Sequence, residues 1–116
     1  MRIKQYKFIF VSHTPDVLDD DVIYISIQFN VAIHKCACGC GEKVVTPIDP
    51  KCWTLIYDGD TVSFSPSIGN WSYRCRSHYF IKRNRVIWAR QWSEEEVQNA
   101  RGNAKPRRLG NFETNK

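Results

Sequence analysis

The sequence predicts a mainly β fold, a small antiparallel β domain with one short C-terminal helix. Three observations carry that prediction. Runs of β-branched and aromatic residues recur along the chain, broken by turn residues. One break, Asp58-Gly59-Asp60, is a strong hairpin signal, and Arg83-Asn84 marks a second hairpin. A single helix signal stands near the end: Ser93-Glu94-Glu95-Glu96 is a capping box, with Ser93 as N-cap and Glu96 three residues on.

Taken in order, Gln5 to Val11 is aromatic and β-branched and reads as a first strand. Ser12-His13-Thr14-Pro15-Asp16 is a turn. Asp19-Asp20-Asp21 is an acidic loop that lacks the spaced ligands of a calcium site, so it is expected to be solvated. Val22 to Ile33 alternates, with Ile23, Ile25, Ile27 and Phe29 on one face and Tyr24, Ser26, Gln28 and Asn30 on the other. That predicts one long half-buried strand. Lys43 to Thr46 is a short strand ended by Pro47-Ile48-Asp49-Pro50. Trp53 to Tyr57 and Thr61 to Ser65 form the first hairpin, with Cys52 as a strand-edge cysteine outside the main cluster. Tyr79 to Lys82 and Arg85 to Arg90 form the second. The capping box opens a helix that Gly102 ends.

These elements sum to one domain over residues 1–101 and a basic flexible tail over 102–116. A chain of 116 residues has room for a single core with little margin. Its 42% hydrophobic and 13% aromatic content excludes disorder and fills that core with large side chains.

The densest chemistry lies in His34-Lys35-Cys36-Ala37-Cys38-Gly39-Cys40-Gly41-Glu42, answered downstream by Cys75-Arg76-Ser77-His78. Three thiols at alternate positions repel as thiolates unless a cation gathers them. Gly39 and Gly41 permit the curl that would aim the sulfurs at one centre. Tetrahedral zinc needs a fourth ligand, and Cys75 or His78 is placed to supply it. The Cys-x-x-Cys pairs of the common zinc ribbon are missing, so the match to standard zinc spacing is imperfect. Nothing points to redox chemistry or an iron–sulfur cluster, so the expected ion is structural Zn2+, with the hairpins arranged around the zinc site. On spacing alone the ligand set stays open. Cys36, Cys38, Cys40 and Cys75 form one candidate, and Cys75 with His78 plus two upstream thiols form the other.

Five clustered cysteines argue against a secreted disulfide framework, no apolar run reaches membrane-spanning length, and Met1-Arg2-Ile3-Lys4 leads into a strand. A cytoplasmic protein without membrane contact is expected. The formal charge of +5 is concentrated in the tail, where Arg101, Lys105, Arg107, Arg108 and Lys116 face only Glu113. Such a tail is ordinarily a solvated end, and it can also attract nucleic acid or an acidic protein.

Tyr24-Ile25-Ser26, the cysteine turn from His34 to Glu42, Pro66-Ser67-Ile68, Cys75-Arg76-Ser77-His78-Tyr79 and Val86-Ile87-Trp88 occur together in that order. The combination resembles a bacterial family, long labelled a domain of unknown function, encoded beside ubiquitin-like modifiers and their activating and conjugating enzymes. The resemblance spans roughly Tyr24 to Ser93. It implies a small zinc-stabilised serine-type peptidase that processes a ubiquitin-like modifier or removes it from targets, with that modifier and its conjugation enzymes as partners.

A serine peptidase needs a nucleophile, a base and oxyanion donors. Pro66-Ser67-Ile68-Gly69 is expected to leave its strand at a rigid turn and present Ser67, with His78 as the base. The resemblance favours Cys36, Cys38, Cys40 and Cys75 as the zinc set, which leaves His78 for catalysis. If His78 were a ligand, His34 would be the remaining base candidate. Otherwise His34 is a strand-end residue held by a backbone bond. Ser77 is a second candidate nucleophile, although adjacent strand residues face opposite ways and would keep it from His78. Asp49, Asp58, Asp60 and Glu42 are candidate orienters of the base, and the amides near Ile68-Gly69-Asn70 are candidate oxyanion donors. The alternative function is a non-catalytic zinc β module that binds a ubiquitin-like protein, its conjugation enzymes or nucleic acid, with Trp53, Trp71, Trp88 and Trp92 as anchors. A metallopeptidase lacks its His-Glu-x-x-His helix here.

Overall fold

The structure, a computed structural model, describes residues 2–89 together with Glu95 and Gln98. Within residues 2–89 the regular structure is eight strands: β1 (Lys7–Phe10), β2 (Val22–Ser26), β3 (Val31–Lys35), β4 (Lys43–Pro47), β5 (Thr54–Tyr57), β6 (Val62–Gly69), β7 (His78–Lys82) and β8 (Arg85–Trp88). They form two four-stranded sheets, each in sequence order: β1-β2-β3-β4 and β5-β6-β7-β8. The protein is therefore mainly β, as its sequence predicts. All neighbouring pairs are antiparallel except β1 with β2, which run parallel. The loop between those two strands makes the return crossing that a parallel pair requires, and it buries Leu18 on the way.

The inner faces of the two sheets make one core. Ile23, Ile25, Ala32 and Val44 come from the first sheet, and Val62, Phe64, Ile68, Tyr79 and Ile81 from the second. Tyr6 joins them from the N-terminal segment, which lies along the edge of the second sheet. Gln5 bridges to Arg85, the amide of Val86 donates to the Lys4 carbonyl, and the amide of Tyr6 donates to the Asn84 carbonyl.

Two expectations require correction. The run from Val22 to Ile33 is not one strand but the β2–β3 hairpin. Its turn occupies residues 27–30, where Asn30 takes a left-handed φ of 54°. Asparagine tolerates that conformation better than most residues, and Ile27 and Phe29 are each 55% exposed there instead of lining the core. The second correction concerns Ser67, which lies inside β6 and not in a turn beyond it. β6 continues to Gly69, and its register against β7 shifts between Phe64 and Ile68 across a cis Ser65–Pro66 bond. Such an irregularity re-aims the side chains that follow it.

Most of the expected helix from Ser93 and all of the basic tail lie outside the described residues, although Glu95 and Gln98 have helical backbone. No helix among the described residues is long and apolar enough to cross a membrane.

Candidate metal centre and Ser67–His78 pair

The segment after β3 curls back on itself. The amide of Cys36 donates to the Glu42 carbonyl, the amide of Gly39 donates to the Cys36 carbonyl, and Gly39 and Gly41 adopt φ values of 91° and 87°. These left-handed positions favour glycine, and they turn Cys36, Cys38 and Cys40 toward one point. Cys75 arrives from the loop between β6 and β7. All four sulfurs lie within 4.8 Å of one another, with Cys36–Cys38 at 3.5 Å, Cys36–Cys75 at 3.8 Å and Cys40–Cys75 at 3.9 Å. Four thiolates about 2.3 Å from a tetrahedral ion would be separated by about 3.8 Å. The donor set therefore fits a metal ion, and none of the described cysteines is in a disulfide.

The thiols are unequal. Burial pushes Cys36 and Cys38 above the ordinary thiol range. Burial acts on Cys75 in the same direction, but hydrogen bonds from Ser77 and the neighbouring thiols outweigh it and bring Cys75 down to about 7. Ser77 is 6% exposed and sits on the sulfur cluster, with its Oγ 3.1 Å from Cys36 Sγ and 3.5 Å from Cys75 Sγ. It is thus directed away from the role of nucleophile.

His78, the next residue, points elsewhere. Its Nε2 lies 2.8 Å from Ser67 Oγ. The two residues come from neighbouring strands, with His78 opposite Gly69 in the ladder and Ser67 two positions before that glycine. Both are buried, Ser67 at 1% and His78 at 7% exposed. The Trp71 indole packs edge-on to the imidazole with ring centres 5.0 Å apart, and Arg76 lies over that indole. Phe80 flanks the imidazole at 6.4 Å. The structure thus gathers Cys36, Cys38, Cys40 and Cys75 at one place and Ser67 with His78 at another.

The other sequence-stated candidates fall out differently. His34 is fully buried, and its Nε2 meets the Tyr79 hydroxyl at 2.8 Å, so a side chain holds it where a backbone bond was expected. Burial lowers its pKa to about 3, which keeps the ring neutral. Asp58 accepts from the amides of Asp60 and Thr61, and Asp49 accepts from the amide of Lys51, so both close their own turns. The amide of Asn70 donates to the Ser77 carbonyl at 2.8 Å, which removes it from the candidate oxyanion donors. Lys35 pairs with Asp20 at 3.0 Å.

The described tryptophans are used within the domain. Trp53 Nε1 donates to the Ser67 carbonyl, Trp71 packs on His78 and Trp88 on Tyr79, while Trp92 lies outside the described residues. Sequence reasoning overlooked Trp71 as a neighbour of His78 and the Asn70 side chain as a partner of the Cys36 sulfur. The available signal was local: polar residues close to a ligand cysteine are often its hydrogen-bond partners.

Residues 10–89 match the family described as bacterial ubiquitination-like system serine protease (BubE). Neither the curated proteins nor the solved structures contain a match. The matched segment holds all four clustered cysteines, Ser67 and His78, and covers well over half of the chain. The chain belongs to the BubE family.

Proposed function

We propose that this BubE-family chain is a zinc-stabilised serine peptidase that processes a bacterial ubiquitin-like modifier or removes it from its targets in the cytoplasm. The observation that carries this reading is the 2.8 Å contact between Ser67 Oγ and His78 Nε2. It is a nucleophile and a base within hydrogen-bond reach, in a family described as serine proteases.

In the neutral tautomer protonated at Nδ1, His78 Nε2 accepts the Ser67 hydroxyl proton. Ser67 Oγ then attacks the carbonyl carbon of the bond that follows the modifier's tail. As that bond breaks, His78 returns the proton to the leaving amine, and Ser67 keeps the acyl group as an ester. Water, deprotonated by the same imidazole, hydrolyses the ester and restores both side chains. Burial of the pair excludes bulk water and strengthens the interactions that stabilise developing charge.

Cys36, Cys38, Cys40 and Cys75 would hold the ion. Zinc bound by four thiolates has no open position for substrate, so it supplies structure and leaves the chemistry to Ser67 and His78. The fixed backbone at Cys75 keeps the start of β7, and with it His78, in place.

The test is cleavage of a ubiquitin-like modifier extended beyond its C-terminal tail. The wild-type chain cleaves it, and Ser67→Ala does not, while retaining its fold and its zinc. Equal cleavage by both chains, or none by the wild type, would overturn the reading.

A further inference from the structure

Two buried polar side chains contact the sulfur cluster, each next in the chain to a strand that carries one member of the Ser67–His78 pair. Asn70 follows β6 and is 8% exposed; Ser77 precedes β7. Asn70 Nδ2 donates to Ser77 Oγ at 2.9 Å and reaches Cys36 Sγ at 3.6 Å. Ser77 Oγ in turn touches the sulfurs of Cys36 and Cys75. The backbones are tied at the same point, where the Asn70 amide donates to the Ser77 carbonyl. One step further into the ladder is the pair Gly69–His78.

This clamp matters because β6 and β7 are out of regular register just beyond it. Between Phe64 and Ile68 the ladder shifts, so uninterrupted pairing from the hairpin end cannot by itself fix Ser67 against His78. On the other side of the shift the pairing is short, Ile68 with Tyr79 and Gly69 with His78, and it is closed by the Asn70–Ser77 bond. A buried carboxamide that lost its partners would cost free energy, so its orientation is set by the Cys36 sulfur and the Ser77 hydroxyl. Hydrogen bonds to metal-binding thiolates orient the ligands and tune their affinity.

We propose that Asn70 is a positioning residue that couples the metal centre to the Ser67–His78 contact, with the Ser77 hydroxyl as the relay. The proposal takes its ion and the role of the dyad from the function proposed above. The coupling itself concerns only the geometry of the clamp. Asn70→Asp preserves the shape of the side chain and removes its donor.

The experiment uses the full chain and three readouts: zinc affinity by chelator competition, the imidazole resonances of His78 by NMR, and modifier cleavage at saturating zinc. In Asn70→Asp, zinc affinity falls about 10- to 100-fold. With zinc saturating, the His78 resonances move toward those of Ser67→Ala, and kcat falls while KM changes little. Ser67→Ala itself binds zinc like the wild type. Wild-type zinc affinity and wild-type His78 resonances in Asn70→Asp overturn the proposal. So does weakened zinc binding with unchanged His78, because Asn70 would then serve the metal alone. If Asn70→Asp does not fold, Ser77→Ala, which removes one hydroxyl, must shift both quantities the same way; wild-type values there overturn the coupling. Absence of cleavage by the wild type would end the peptidase reading, and the zinc and imidazole readouts would still decide the role of Asn70.

Discussion

Ser67 on β6 and His78 on β7 are eleven positions apart in the chain, and their side chains meet at 2.8 Å inside the protein. In the mechanism proposed above the hydroxyl and the imidazole act as one unit, so losing either should cost about as much as losing both. His78→Gln and Ser67→Ala are each expected to lower modifier cleavage by about 10⁴-fold or more, and the double variant little further. Steady-state cleavage by the three variants checks this.

The metal centre should depend on Cys75 and be indifferent to His78. Cys75→Ser is expected to lose bound metal and melt at lower temperature, whereas His78→Ala keeps one ion per chain. Elemental analysis beside thermal melts distinguishes the two. A strong chelator should lower the wild-type melting temperature and leave that of Cys75→Ser unchanged.

Gly69 has no room for a side chain. A Cβ there would lie 2.5 to 2.9 Å from the Trp71 indole, which packs against His78. A rigid ring cannot yield by rotation of a flexible end. Gly69→Ala is therefore expected to destabilise the domain by about 1–3 kcal/mol and to lower kcat through displacement of Trp71. Denaturant unfolding and cleavage kinetics measure both effects.

Thr46 carries its hydroxyl into the core, where Oγ1 is buried and has no hydrogen-bond partner. Thr46→Val replaces that oxygen with a methyl group of similar size. A gain of about 1 kcal/mol in unfolding free energy is expected. A loss of similar size would mean that the hydroxyl is satisfied in solution.

Asp58 anchors the β5–β6 turn. Backbone amides of Thr61 and Asp60, then the Thr61 hydroxyl, hold its carboxyl down at about 2. The folded state therefore binds its proton more weakly than the unfolded chain does. The resulting stabilisation is complete above the ordinary carboxylate range and is lost as pH falls from about 4 through about 2. Asp58→Ala is expected to melt below the wild type at neutral pH, with the gap closing across that window.

What was legible in the sequence follows from how local each feature is. The cysteine turn could be read because its residues lie within five positions and two glycines reveal the curl. The hairpin at Asp58-Gly59-Asp60 was legible for the same reason. The β2–β3 turn was not, since Ile27 and Phe29 continue the apolar alternation through residues that are in fact exposed. Ser67 lies within a register shift of β6 against β7 that alternation does not encode. Its two members were named through a family resemblance, and spacing alone would have left His78 equally well placed as a ligand. Asn70 was invisible as a side chain because its partners, Cys36 and Ser77, are brought to it only by folding.

The sulfur cluster spans the chain as well as the fold. Cys36 and Cys75 are 39 positions apart, and an ion held between them closes that length into a loop, as a covalent cross-link would. By chain-entropy reasoning a closure of this size restricts the unfolded ensemble by about 4 kcal/mol, a large share of what a domain this small commands. Such a cross-link would be reversible, and it would tie the strands of one sheet to those of the other. With an ion so held, the lifetime of the folded chain in a cell would be linked to metal supply: a newly made chain deprived of the ion would have to align both sheets unaided and would be the more exposed to proteolysis.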